Sequence, residues 1–117
     1  MSSPTYDWHK IADVTEEISF ASNGIAVIEA AGKKFCVSRL DGELYAFSFK
    51  CPHASGILAD GWIDPLGNLV CPLHRYRYNI RNGRNTSGEG YYLPVYPIEC
   101  RENGIYVGLK RSGLFGW

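Results

Sequence analysis

The stretch GIAVIEAAGKKFCVSRLDGELYAFSF, residues 24–49, carries the pattern that decides the fold class. Apolar and polar side chains alternate along it, which is the period of a half-buried β-strand. The alternation is interrupted at Ala31-Gly32 and again at Asp41-Gly42, two pairs that favour tight hairpin turns. The stretch therefore predicts a meander of three antiparallel strands, over Gly24–Ala30, Lys33–Leu40 and Glu43–Phe49.

A second hairpin is predicted near the C-terminus, where Val95–Cys100 and Ile105–Leu109 flank the turn pair Asn103-Gly104. The region between the hairpins is rich in Gly, Pro, Asn, Arg and Tyr, and helical periodicity is nearly absent from the chain. The strand-like pieces of the region between the hairpins are brief: Gly61–Ile63, Asn68–Val70 and Tyr76–Ile80. We expect an all-β protein whose chemistry lies in the region of about 50–93.

Length and composition exclude several classes of protein. The chain has 117 residues with 45% hydrophobic content, enough for one core and too few for two ordinary domains. Twelve basic and twelve acidic residues cancel, so we expect neither nucleic acid nor a membrane as partner. The polar residues 1–10 lack the apolar core of a secretory signal, and no run approaches the roughly 18 apolar residues of a membrane span. A soluble, cytoplasmic monomer is expected.

Two short segments place a proline directly after a cysteine and end in a histidine: Cys51-Pro52-His53 and Cys71-Pro72-Leu73-His74, with 17 residues between them. In an extended Cys-x-His segment the first and third side chains lie roughly 6 to 7 Å apart, which is awkward for chelating one ion. A two-iron cluster suits this separation better, because the thiolates can hold one iron and the imidazoles the other.

Other readings of these residues stay open at this point. A structural zinc site is an alternative, although zinc fingers usually pair their ligands as Cys-x(2–4)-Cys and His-x(3–5)-His. Two disulfides would require an oxidising compartment, for which the sequence gives no sign.

Cys36 and Cys100, which lie outside the motif, fall inside predicted strands and are expected to be buried. His9 is isolated and is not expected to be a ligand. The aromatic residues of 45–49 are expected in the core, and Leu114, Phe115 and Trp117 are expected to fold back onto the domain, with a docking tail as the alternative.

With this ligand motif the chain resembles the Rieske ferredoxins. Asp41–Phe47 is similar to the strand and turn that lead into the family's first loop, and Gly104–Val107 is similar to its closing strand. The resemblance implies a Rieske-like fold, a single domain over 1–117 with an antiparallel base from 7–49 and 94–113 and a small cluster-binding subdomain over about 50–93. It also implies one [2Fe-2S] cluster, whose ligands are Cys51, His53, Cys71 and His74, with the histidines facing solvent.

Three positions depart from the family's pattern. Arg75 stands where a glycine usually follows the second histidine, and the loop of residues 88–92 lacks its usual proline. High-potential relatives place a serine two residues after the second histidine and a tyrosine four after it. In this chain the bulky Tyr76 stands in place of the serine and is not expected to reproduce its short bond to a bridging sulfide, whereas Tyr78 matches the tyrosine, and its hydroxyl is expected to reach a cysteine sulfur. The resemblance therefore implies a midpoint toward the lower part of the Rieske range.

We expect an electron carrier rather than an enzyme. Once His53 and His74 are assigned, only His9 remains, so a separate iron triad of two histidines and a carboxylate cannot form, and no G-x-G-x-x-G element is present. We expect a ferredoxin that takes electrons from a reductase and delivers them to an oxygenase or related oxidoreductase. The alternative is a non-catalytic small subunit of a larger reductase such as nitrite reductase.

A basic docking collar is a further expectation. No acidic residue occurs from Pro65 to Gly88, although four arginines do: Arg75, Arg77, Arg81 and Arg84. The alternative is that these arginines form an ordinary solvated face.

Overall fold

The computed structural model describes residues 6–52 and 56–110, which form ten β-strands and two 3-10 helices. The strands are β1 Tyr6–Ala12, β2 Ile25–Ala30, β3 Lys33–Leu40, β4 Glu43–Ser48, β5 Trp62–Ile63, β6 Asn68–Val70, β7 Arg77–Asn79, β8 Val95–Tyr96, β9 Ile98–Arg101 and β10 Gly104–Lys110. The helices are single turns, Thr15–Glu17 and Leu58–Asp60, and neither is long or apolar enough to span a bilayer. The expected all-β class is confirmed.

The meander is confirmed as the central sheet, in which β2, β3 and β4 are joined by β8 in the order β2-β3-β4-β8. Both turns have a positive φ at each central residue, 54° and 77° at Ala31 and Gly32, and 53° and 82° at Asp41 and Gly42. This is the conformation of a type I′ hairpin turn, whose twist matches that of the flanking strands. The short turns fix the register, with Ala30 opposite Lys33 and Leu40 opposite Glu43.

The central sheet has two apolar faces, because consecutive residues such as Phe35 and Cys36 in β3, and Ala46 and Phe47 in β4, are apolar and point to opposite sides. One face carries Ile25, Cys36 and Phe47 and packs on the core that lies under the segment of residues 50–93. The opposite face carries Phe35, Val37 and Ala46 and packs on the second sheet, of order β1-β10-β9. The central sheet is therefore the layer that joins the base to the chemistry-bearing segment.

The predicted strand Val95–Cys100 is wrong as a single element, because Pro97 divides it. Proline has no N–H to donate to a ladder, so the chain changes sheets there. On one side β8 pairs with β4, and on the other β9 pairs with β10 in the predicted hairpin. The strand β1 was not predicted, because YDWHKIA alternates poorly and is mostly half-buried.

The two cysteines outside the ligand motif, Cys36 and Cys100, differ in their exposure to solvent. Cys36 is fully buried as expected, and burial followed by the charge of Asp60 raises its pKa to about 12. The expectation that Cys100 is buried is wrong, because it is exposed. It lies on β9, the outer strand of its sheet, at the rim of a groove shared with polar side chains such as Arg39 and Glu43. The segment 111–117, with Leu114, Phe115 and Trp117, lies outside the described residues.

One side chain ties the central sheet to the third sheet, of order β5-β6-β7. Asn23 precedes β2, and its Nδ2 donates hydrogen bonds of 2.8 Å to the carbonyls of Ala59 and Gly61. Its Oδ1 accepts a hydrogen bond of 3.2 Å from the N–H of Ile25. All the polar groups of this half-buried amide are thereby used to position the 3-10 helix that leads into β5.

We predict that Asn23→Ala lowers the free energy of unfolding by about 1–3 kcal/mol, because two backbone carbonyls and one N–H lose their partners. Urea unfolding followed by far-UV circular dichroism is the measurement. The control is Ser22→Ala at the exposed neighbouring position, which should change stability little. Equal losses of unfolding free energy in the two variants would contradict the conclusion that the Asn23 side chain links the two sheets.

Candidate metal centre

Backbone hydrogen bonds close the first candidate ligand loop. Beyond β4, Lys50 forms a β-bridge with Ile57, and the N–H of Cys51 donates to the carbonyl of Gly56 at 2.9 Å. The ends of the loop are therefore adjacent, and Cys51 stands at its base with only 4% of its surface exposed. His53 belongs to residues 53–55, which lie outside the described part.

The second loop is closed in the same way. It follows β6, and the N–H of Cys71 donates to the carbonyl of Tyr76 at 2.9 Å. Cys71 is fully buried at the base of the loop, whereas His74 is exposed at its outer turn. Arg75 has a φ of 61°, and its N–H donates to the carbonyl of Cys71 at 2.9 Å. The left-handed φ explains why glycine suits this position in the family and why arginine is strained there.

The two loops meet at their cysteine ends. Gly56 ends the first loop, and a Cβ placed on it would lie 3.0 Å from the sulfur of Cys71 and 3.2 Å from the Cβ of Leu73. Both distances are tighter than ordinary contacts, so a side chain at position 56 would push the second loop away. The absence of a Cβ here lets Cys51 and Cys71 occupy the same core cluster.

The surroundings of the Cys71 sulfur act on its pKa in both directions, and the pKa stays above its ordinary value. Burial raises the pKa of Cys71, and the hydrogen bond and charge of Cys51 raise it further. Against these effects, the backbone N–H groups of Leu73 and His74 donate hydrogen bonds to the sulfur of Cys71 and lower its pKa. Two adjacent buried sulfurs, one with N–H donors aimed at it, form a donor set that fits the thiolate-bound iron of an iron–sulfur cluster.

Tyr78 completes the buried side of the site. Its hydroxyl lies 3.5 Å from the sulfur of Cys51, and the side chain is fully buried. Burial raises the pKa of Tyr78, and the hydrogen bond with Cys51 raises it further, so the hydroxyl keeps its proton. The expectation that Tyr78 can reach a cysteine sulfur is confirmed.

An aromatic row extends from the exposed histidine along the surface. The ring centroid of Tyr76 lies 6.3 Å from that of His74 and 6.0 Å from that of Tyr91. Beside this row the side chains of Leu73 and Tyr92 are 49% and 66% exposed. This surface was not predicted from the sequence, although Tyr76 and the Tyr91-Tyr92 dipeptide, in two separate loops, were an available signal.

Of the four expected ligands, three are described and two of these are brought together. Cys51 and Cys71 share one core cluster, His74 stands on the loop of Cys71, and His53 is not described. Over residues 6–52 and 56–110, no group of three or more Cys, His, Asp or Glu side chains could hold a metal ion. His9 lies on β1 opposite Val107, in the sheet away from the loops.

The expected basic collar is partly neutralised by carboxylates from outside the segment of residues 65–88. Arg77 lies 3.7 Å from a carboxylate oxygen of Asp64, one residue before the segment. Arg81 lies 3.2 Å from Asp41, and its guanidinium stacks 5.7 Å from the ring centre of Tyr45. The sequence could not show these pairs, because the fold and not the chain order brings the partners together.

The chain is similar to proteins of one known family. A family model of the Rieske [2Fe-2S] domain matches residues 7–97. The ferredoxin component of a naphthalene 1,2-dioxygenase system from Pseudomonas putida is 30% identical over 84 residues, which are 71% of this chain and 80% of the relative.

Two solved structures share the fold. The ferredoxin of carbazole 1,9a-dioxygenase from Nocardioides aromaticivorans has a TM-score of 0.73 at 23% identity, covering 93% of this chain and all of that one. A nitrite reductase small subunit from Mycobacterium tuberculosis has a TM-score of 0.74 at 18% identity, covering 92% and 98%. The expected resemblance and fold are confirmed: the chain belongs to the Rieske [2Fe-2S] domain family and is an electron carrier with one [2Fe-2S] cluster.

Proposed function

We propose that this protein is a cytoplasmic, monomeric ferredoxin that passes single electrons from a reductase to an oxygenase. We further propose that Cys51 and Cys71 hold one iron of the cluster and that His53 and His74 hold the other. The observation that carries the assignment is the pair of buried, adjacent thiols, each at the base of a loop that bears a histidine two or three residues later.

The two ends of the loops have opposite environments, and this supports the assignment. The cysteines lie in a core that also contains Leu58, Leu69 and Ile80, which excludes water from the thiolate side. His74 is exposed at the other end, beside the aromatic row. A bound cluster supplies one-electron redox chemistry, and the chain would hold it with one iron inside and the other at the surface, where a partner can approach closely.

The organisation of the chain and its compartment are part of the same proposal. We propose one domain, with a base from 7–49 and 94–113 and a cluster-binding subdomain over about 50–93. The support is that the third sheet and both ligand loops fall in the latter segment. None of the four cysteines, all of which lie among the described residues, forms a disulfide, and this is the ordinary situation in a reducing compartment.

The partner proposal rests on the relative and on the exposed surface around His74. The relative from Pseudomonas putida is the ferredoxin component of a dioxygenase system. Leu73, which precedes His74 in the chain, and Tyr91 and Tyr92, at the far end of the aromatic row, are exposed, and aromatic residues at such a surface suit a transient protein contact. Because the fold is shared with a nitrite reductase small subunit, permanent association with a reductase is the alternative. Purification as a free monomer would favour the ferredoxin.

We predict that the purified protein contains iron and acid-labile sulfide in a ratio of two to two and is red-brown. Reduction should give the rhombic electron paramagnetic resonance signal of a Rieske centre. His74→Ala should abolish this signal, because one iron loses an imidazole ligand, whereas His9→Ala on the remote β1 should leave it unchanged. Stoichiometric zinc without sulfide would contradict both the ligand assignment and the proposed function.

We predict that Tyr78→Phe lowers the midpoint potential while the cluster stays intact. The hydrogen bond from the Tyr78 hydroxyl to the sulfur of Cys51 should strengthen by about 1 kcal/mol when reduction adds negative charge, a fraction of the roughly 1.5–3 kcal/mol of a hydrogen bond to a charged group. For one electron this corresponds to about 40 mV. The control Tyr76→Phe should have little effect, and both are measured by voltammetry at one pH. Equal small shifts in the two variants would mean that Tyr78 only packs.

We predict that Arg75→Gly raises the free energy of unfolding by up to about 1 kcal/mol. A left-handed φ costs a non-glycine residue about 1–2 kcal/mol, from which the greater flexibility of glycine in the unfolded chain is subtracted. The matched control is Arg75→Ala, which removes the same charge and keeps the strained φ, and it should not stabilise. Urea unfolding of the holoprotein is the measurement, and equal changes in both variants would contradict a cause in the backbone.

A further inference from the structure

The lysines of this chain are unevenly distributed. Three of its five lysines, Lys33, Lys34 and Lys50, line one groove of about 500 Å³. The groove lies where β3 begins and β4 ends, and residues Cys51 and Pro52 of the first ligand loop form part of its wall. We refer to it as the lysine groove. It is separate from the aromatic row, which runs from the second loop.

The lysine groove combines a charged rim with an apolar floor. Phe49, Tyr96 and two prolines contribute to its lining. The ammonium of Lys34 lies 5.0 Å from the ring centre of Phe49, and that of Lys33 lies 5.4 Å from the ring centre of Tyr96. Contacts of this kind hold the ammonium groups near the rim, so less side-chain freedom is lost when a carboxylate binds there.

The positive charge of the groove is not neutralised within the described part of the chain. Several other cations there are paired: Lys10 with Asp13, Arg77 with Asp64, Arg81 with Asp41 and Arg101 with Glu99. By contrast, no ion pair is formed among the described residues by Lys33, Lys34 or Lys50. The nearest carboxylate in sheet register is that of Glu29, opposite Lys34. In a chain whose total charge is zero, the groove is therefore a local positive site.

The groove is preformed and joined to the metal centre. The hydroxyl of Ser48 donates to the carbonyl of Lys50 at 2.7 Å, and the N–H of Ser48 donates to the carbonyl of Pro94 at 3.0 Å. These bonds fix the backbone that continues directly into Cys51. A partner bound in the groove would consequently be held next to one proposed cluster ligand without any rearrangement of the loop.

We propose that the lysine groove docks an acidic segment of a protein redox partner, with carboxylates on the three lysines and an apolar side chain on Phe49 and Tyr96. This proposal rests on the proposed function, because it supplies a partner of the electron carrier with its binding surface. Charge complementarity selects the acidic occupant, and the apolar floor selects a peptide over a phosphate backbone. The short rim, with three cations, also suits a protein segment better than nucleic acid or a membrane surface.

The test uses the oxidised holoprotein after reductive ¹³C-dimethylation, which keeps the lysine charge and gives each lysine an NMR signal. The probe is the blocked peptide Glu-Glu-Trp-Glu-Glu. It should shift the signals of Lys33, Lys34 and Lys50 and leave those of Lys10 and Lys110 unchanged. Affinity should fall at least about five-fold when salt rises from about 0.02 M to about 0.2 M, since the charges are exposed.

Matched variants decide the outcome. Lys33→Gln/Lys34→Gln should weaken binding of the peptide at least about five-fold, whereas Lys10→Gln should not. The uncharged peptide Gln-Gln-Trp-Gln-Gln should bind at least about five-fold more weakly. Equal shifts at all five lysines, no binding, or tighter binding of phosphatidylglycerol vesicles or a twelve-nucleotide oligo(dT) through the same lysines would each overturn the proposal. Iron, sulfide and the paramagnetic signal are measured in every variant, so a loss of docking with an intact cluster is distinct from a failure of the proposed function.

Discussion

The site depends on two backbone hydrogen bonds, one across the base of each ligand loop. The N–H of Cys51 donates to Gly56, and the N–H of Cys71 donates to Tyr76. Each bond closes a loop of a few residues, so the cysteine is fixed at the inner end and the rest of the loop points outward. Because both loops follow strands that are buried in one core, their inner ends meet, and the thiols become neighbours.

Burial gives the two ends of the site different chemical roles. A thiolate inside a core is costly to form, and N–H donors such as those aimed at Cys71 offset part of that cost. The hydroxyl of Tyr78 adds a further donor on the side of Cys51. At the outer end His74 is exposed, so the same two loops provide an insulated thiolate side and an accessible imidazole side. A one-electron carrier needs this asymmetry, since its cofactor must be protected and still lie near a partner.

Much of the fold and of the candidate ligand set can be predicted from patterns among residues that are close together in the sequence. The turns at Ala31-Gly32 and Asp41-Gly42 dictate the meander, because few residue pairs accept two positive φ angles in succession. The repeated Cys-Pro element identified both cysteines that the structure brings together. Long-range features were not predictable in this way. Pro97 divides a strand only because two different sheets lie on either side of it, and the half-buried β1 has no clear period of its own.

Charge was the property that the linear sequence represented least well. Counting along residues 65–88 suggested an unopposed row of arginines, yet Asp64 and Asp41 reach two of them. Conversely Lys50 is remote in sequence from Lys33 and Lys34, and the antiparallel pairing of β3 with β4 places all three around one groove. The chain order therefore overstated one basic surface and concealed another. In a protein of zero net charge, binding by electrostatics depends on which charges the fold leaves unpaired, and three such charges among the described residues, those of Lys33, Lys34 and Lys50, lie beside the first ligand loop.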